Sequence, residues 1–89
     1  MTATDPNTLP AATAQRVLEY LARQLVDDPD AVAVEAEESA GRTVLNVRVA
    51  PGDMGRVIGK RGRVANAIRT LVRAAAVRDG VEVDVEFLD

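Results

Sequence analysis

Asp53-Met54-Gly55-Arg56-Val57-Ile58-Gly59-Lys60-Arg61-Gly62-Arg63 is the stretch whose reading decides the fold of this chain. Two glycines enclose two cations in a short connection between two helical patterns. One pattern runs from Met54 to Ile58 behind Asp53, a good N-cap residue, and the other opens at Arg63. Glycine has no side chain to hold another molecule away and reaches dihedrals closed to other residues, so a polyanion can approach the main chain there. Lys60 and Arg61 add charge to that approach. The helix opening at Arg63 turns unpaired amides and the positive end of its dipole toward the same spot.

Downstream, Val64, Ile68, Leu71, Val72 and Ala75 mark the buried stripe of a helix that ends at Asp79-Gly80. Val81, Val83, Val85 and Phe87 then alternate with Glu82, Asp84 and Glu86, which predicts a strand. Upstream, Ala50-Pro51-Gly52 breaks a strand in which Thr43, Leu45, Val47 and Val49 alternate with Val44, Asn46 and Arg48. Ser39-Ala40-Gly41 supplies a turn to an earlier strand, with Val32, Val34 and Ala36 on one side and Ala33, Glu35 and Glu37 on the other. The first helix carries Val17, Leu18, Leu21, Ala22, Leu25 and Val26 at helical spacing. Asn7 or Thr8 is its expected cap, Pro10 falls in its first turn, and Asp27-Asp28-Pro29-Asp30 ends it.

The predicted order is α-β-β-α-α-β, an α+β fold with three helices on one face of a three-stranded sheet. The helical pair between the second and third strands is expected to lay the third parallel beside the first, with the second on the opposite edge. The open sheet face is expected to carry Glu35, Glu37, Glu82, Asp84 and Glu86, with Arg48 near one edge. Residues 1–9 read as a flexible tail and 10–89 as one domain.

Composition narrows the function classes. Eighty-nine residues, 47% hydrophobic, suit a single modest core. With no cysteine and no histidine, there is no disulfide framework, no thiolate metal site, and neither the commonest general base nor the commonest metal ligand. Ser39, the one serine, has no base to activate it, so an enzyme is not expected. No cofactor or metal is expected either: Glu82, Asp84 and Glu86 on one strand face read as a solvated face. No apolar run exceeds four residues, and the first ten residues hold no basic cluster or apolar core, so the expected setting is cytoplasmic, with no membrane partner.

The net charge of −3 would argue against nucleic acid, but its distribution does not. Residues 1–41 carry −6, residues 42–78 carry +8 with Asp53 as their one acid, and residues 79–89 carry −5. Such polarity focuses anions on one surface. Charge alone does not separate that reading from arginines that merely solvate two helices.

The element order, with Gly-Lys-Arg-Gly between the second and third helices, resembles a type II KH domain, whose hallmark is a G-x-x-G loop in that place. Pro29-Asp30-Ala31, residues 53–63 as quoted above, and Ala67-Ile68-Arg69-Thr70 are similar to the pattern of the small bacterial KhpA-like single-KH proteins. The resemblance covers about residues 12–88. It implies that Gly59, Lys60, Arg61 and Gly62 clamp the backbone of about four unpaired RNA nucleotides. By the same resemblance Val57 and Ile58 form an apolar floor for the bases, Arg56 and Arg63 flank the loop, and the second strand and the Arg42-containing hairpin turn form the opposite wall. Arg48 lies on that strand. The family further implies an RNA chaperone or post-transcriptional regulator that pairs with itself or with a larger KH-domain protein, linked to cell-envelope and cell-length control. The alternative is a pairing module in which RNA contact is secondary. Five alanines on the helix opening at Arg63 (Ala65, Ala67, Ala74, Ala75, Ala76) suit pairing but are equally explained by helix propensity.

Rival loops fail on spacing. Gly55 and Gly59 enclose three residues where a Walker loop needs four, and Arg61 stands where that loop needs a hydroxyl. A dinucleotide fingerprint needs G-x-G-x-x-G directly after a strand.

Overall fold

The computed structural model describes residues 11–88. Its elements are α1 (Ala12–Leu25), β1 (Ala33–Ser39), β2 (Arg42–Arg48), α2 (Met54–Ile58), α3 (Arg63–Asp79) and β3 (Val83–Leu88), with single 3-10 turns at Pro29–Ala31, Pro51–Asp53 and Lys60–Gly62. The α+β architecture is the expected one: three helices and one mixed three-stranded sheet. Asn7 and Thr8, the expected caps of α1, lie outside the described residues. The helix begins at Ala12, after Ala11 in a left-handed N-cap position.

The strand order differs from the sequence expectation. It is β1-β2-β3, with β2 central, antiparallel to β1 and parallel to β3. Chain reach explains the direction of β3. The 17 residues of α3 span about 25 Å, close to the roughly 23 Å of a seven-residue strand. The helix therefore carries the chain from the end of β2 back to the level of its start. A strand that starts there runs the same way as β2 and pairs beside it, which makes β2 the most buried strand.

The helix-facing side of β2 presents Thr43, Leu45 and Val47, all buried, followed by Val49. Leu18 and Ala22 of α1 and Ala65, Ile68, Val72 and Ala76 of α3 are buried as well, as are Val83 and Val85 of β3. The α3 stripe thus steps by three, four and four residues. Leu71 lies about 100° around the helix from Val72 and is 52% exposed rather than in the core. Leu25, also expected in the core, is exposed in the last position of α1. β1 is an edge strand, so its helix-facing side is only partly covered: Val34 is half-buried and Ala36 exposed.

The open face is acidic, as the alternation predicts. Register sets Glu37, Val44 and Asp84 in one row and Glu35, Asn46 and Glu86 in the next. Asn46 Nδ2 donates to Glu37 Oε1 at 2.8 Å. At the other end of the helical layer, Gly80 ends α3 at φ 69°. The Asp79 carboxylate there accepts the amides of Thr13 and Ala14 at 3.2 and 3.0 Å. That contact ties the last turn of α3 to the first turn of α1. Burial alone would push the Asp79 carboxyl up, but those amides, the Thr13 hydroxyl and the nearby Arg16 hold it below its ordinary value.

Candidate nucleic-acid interface

The glycine loop is built by a clash that only glycine avoids. Gly59 closes α2 by donating its N–H to Gly55 O at 2.9 Å, at φ 74° and ψ 177°. A Cβ there would sit 2.8 Å from Val64 Cβ and overlap Val64 Cγ2. The main chain therefore runs directly against the first turn of α3. Arg61 (φ 57°) and Gly62 (φ 71°) both take the left-handed conformation, and Gly62 N–H returns to Gly59 O at 3.2 Å. A left-handed arginine is strained, and the surrounding turn has to hold it. Gly62, by contrast, has nothing within 4 Å of a built Cβ, so only its dihedral favours glycine.

Lys60, Arg61 and Arg63 are exposed around this turn, and among the described residues they make no ion pair. No acid lies in the first turn of α3, so the helix dipole and the three cations act in the same direction. Ile58 and Val64 are half-buried and offer apolar surface beside the loop. Val57 does not: it is fully buried in the core, so of the two residues expected to offer an apolar floor only Ile58 reaches the surface.

Arg56 stands on α2, one turn ahead of the loop. Its Nη2 lies 3.0 Å from Asp27 Oδ2, and its Nε lies 3.5 Å from Asp53 Oδ1. Asp53 takes the expected N-cap position, but its side chain caps no helical amide. It is buried and accepts Asp28 N–H at 3.1 Å, fastening the α1–β1 connection to the start of α2. The three-residue spacing of Asp53 and Arg56 was a visible signal for this contact. Nothing local signalled Asp27.

Arg48 is exposed on the open face at the end of β2 that leads to α2, in register with Ala33 and Leu88. Arg42 is not brought to the loop. It opens β2, about 20 Å along the strand from Arg48. Its Nη1 lies 2.7 Å from Asp84 and its Nη2 3.0 Å from Glu82. The bond and charge of Asp84, with the charge of Glu82, hold the Arg42 guanidinium above its ordinary value. The bond from Arg42, aided by its charge and by Arg73, holds Asp84 below its own. Sequence reasoning also missed the packing of Arg69 over the Phe87 ring, 5.2 Å from its centroid, which secures α3 to β3.

Residues 15–87 match the family of KhpA/KhpB KH domains. The chain is 47% identical over 74 residues to the RNA-binding protein KhpA of Clostridium acetobutylicum, covering 83% of this chain and 99% of that protein. It is 50% identical over 72 residues to the RNA-binding protein KhpA of Leifsonia xyli, covering 81% and 92%. Among solved structures, Era in complex with MgGDPNP and nucleotides 1506–1542 of 16S ribosomal RNA aligns with a TM-score of 0.62 at 21% identity, over 89% of this chain. The chain spans about 30% of that Era chain, and the likeness is one of fold.

Proposed function

The chain belongs to the KhpA/KhpB family of KH domains, and on that footing we propose that it binds single-stranded RNA by clamping the sugar-phosphate backbone on residues 59–62. The observation that carries the reading is Gly59. Its backbone is pressed against Val64 in a conformation and a space that admit no side chain. That brings the bare main chain, two adjacent cations and the amino end of α3 to one exposed turn. Ile58 and Val64 supply apolar surface for bases, and Arg63 extends the phosphate track. Recognition of this kind uses few aromatics, consistent with one Phe and one Tyr in the whole chain. The acidic open face disfavours the sheet-borne mode in which bases stack on strands. The protein acts as a non-enzymatic RNA chaperone or post-transcriptional regulator in the cytoplasm, and no helix among the described residues is long and apolar enough to cross a membrane. A bearing on cell-envelope homeostasis and cell length rests on the family likeness alone.

The test is K60D/R61D, which keeps both glycines and reverses the loop charge. The variant is expected to fold, since exposed substitutions change stability by roughly 0.5 kcal/mol. Its affinity for a single-stranded RNA oligonucleotide should collapse. The slope of log affinity against log salt should flatten by about 0.7 for each phosphate that is no longer neutralised. A folded variant with unchanged affinity and slope removes the loop from the binding site.

One observation favours pairing as a second reading. Ala67, Thr70, Leu71, Ala74 and Val77 lie on one outward stripe of α3, with Leu71 52% and Val77 77% exposed. Such a low-profile apolar stripe suits a second copy or another KH protein, and linked grooves would raise avidity for RNA. Light scattering of the protein and of L71D/V77D checks it; a monomer at every concentration, with no partner on co-purification, removes the reading.

A further inference from the structure

Asp53 is a buried carboxylate that the loop clamp does not use, and it stands 4% exposed. Burying such a charge is costly unless it is matched. Its partners here are the amide of Asp28 and the Nε of Arg56. Arg56 is therefore held at its inner end, with a side chain that is still 53% exposed and a guanidinium head turned to the surface. At the surface Asp27, 75% exposed, takes Nη2 at 3.0 Å. The two contacts differ in setting: the inner one, at 3.5 Å, is to a buried carboxylate, and the outer one, at 3.0 Å, is to an exposed one. The inner contact leaves an unmatched buried charge when it breaks, whereas the outer one is an exposed ion pair of the weak kind.

We propose that Asp53 is the positioning residue for Arg56 and that Asp27 is an internal competitor for the same guanidinium, displaced by an RNA phosphate when the strand is bound. This rests on the reading of the 59–62 loop as the clamp. Arg56 precedes Gly59 by three residues on a helix rising 1.5 Å per residue, so its Cα lies about 5 Å along the axis from the turn, and its long side chain can serve a phosphate next to those held by the loop. A guanidinium held at Nε presents its two terminal nitrogens as a fork suited to a phosphate oxygen pair. Asp53 stays bound to Nε in both states and aims the fork. Asp27 occupies the fork in the free protein and leaves it in the complex, which subtracts from the net affinity of an otherwise preset contact.

The test is a double-substitution cycle read as affinity for a ten-nucleotide single-stranded RNA over a series of salt concentrations. D27N alone should tighten binding several-fold, because the competitor is gone. R56Q alone should weaken binding by about tenfold and flatten the salt slope by about 0.7. In the R56Q background D27N should do nothing. A general gain from removing one negative charge would persist there, so an equal gain in both backgrounds overturns the proposal, as does no gain from D27N in the parent. D53N, followed alongside its thermal melt, should weaken binding and flatten the salt slope as R56Q does, with R56Q weakening it no further. Should D53N not fold, the Asp27–Arg56 cycle decides alone. K60D/R61D is the control. If it abolishes binding while D27N has no effect, the clamp stands and this inference falls. If it leaves binding intact, the clamp reading itself falls.

Discussion

Arg42 and Arg61 carry the same guanidinium in two regions of the molecule that treat it in opposite ways. At the start of β2, Arg42 reaches Asp84 at 2.7 Å and Glu82 at 3.0 Å on the acidic sheet face, and its charge is matched within its own chain. In the 59–62 loop, Arg61 is exposed in a left-handed turn, and no described acid pairs with it. The +8 of residues 42–78 is therefore not one basic surface. Arg42, Arg56 and Arg73 each have acidic partners, whereas Lys60, Arg61 and Arg63 face outward beside the amino end of α3. A count of cations locates no anion site; the distribution of their partners does.

The strongest way to break that contrast is to deform the loop. Gly59→Ala adds a side chain that overlaps Val64 at a positive φ. It should cost on the order of 3 kcal/mol, a fall in Tm of roughly 12–24 °C for a domain of this size. Gly62→Ala meets only the dihedral penalty and should cost about 1 kcal/mol. Equal melting temperatures for the two variants would show that Gly59 is not pressed against α3.

Next in size is the direct comparison of the two arginines. Arg61→Gln should weaken single-stranded RNA binding about tenfold, since it removes one charge-assisted hydrogen bond of roughly 1.5 kcal/mol. Arg42→Gln should leave affinity and salt slope unchanged. Equal weakening of the two variants, measured by fluorescence anisotropy, would place the Arg42 corner within the interface.

Acid should act on the region away from the loop. Asp79 and Asp84 both sit below their ordinary value of 3.8 in the folded chain. Their contribution to stability is complete above that value and is lost as pH falls through the lower folded values. Unfolding by denaturant between pH 5 and pH 2 should show this decline, and Asp79→Asn should make it shallower. An unchanged slope in that variant would separate Asp79 from the α1 amides it accepts.

The smallest expected effect lies on the open face. Replacing Glu82 and Glu86 by Gln removes negative charge distant from the loop, so RNA affinity should stay level or rise slightly as repulsion is relieved. A marked fall in affinity of the folded double variant would put RNA on the sheet.

Much of this was legible in the chain. Period-two alternation marked Thr43, Leu45, Val47 and Val49 as the buried side of β2, and it put the acids of β1 and β3 on the open face. Gly80 marked the end of α3, and the Gly-Lys-Arg-Gly turn marked the candidate site. These are local properties, since side-chain alternation and the dihedral freedom of glycine are fixed by each residue and its neighbours. Tertiary structure decided the rest. The direction of β3 followed from the length of α3, and its place beside β2 is a matter of tertiary pairing. The burial of Val57, the exposure of Leu71 and the distance of Arg42 from the loop all depend on which neighbouring element covers a residue. So does the hold of Asp27 and Asp53 on Arg56. Asp27 lies 29 positions before Arg56 in the sequence, and only the packing of the α1–β1 connection against α2 brings the two charges together.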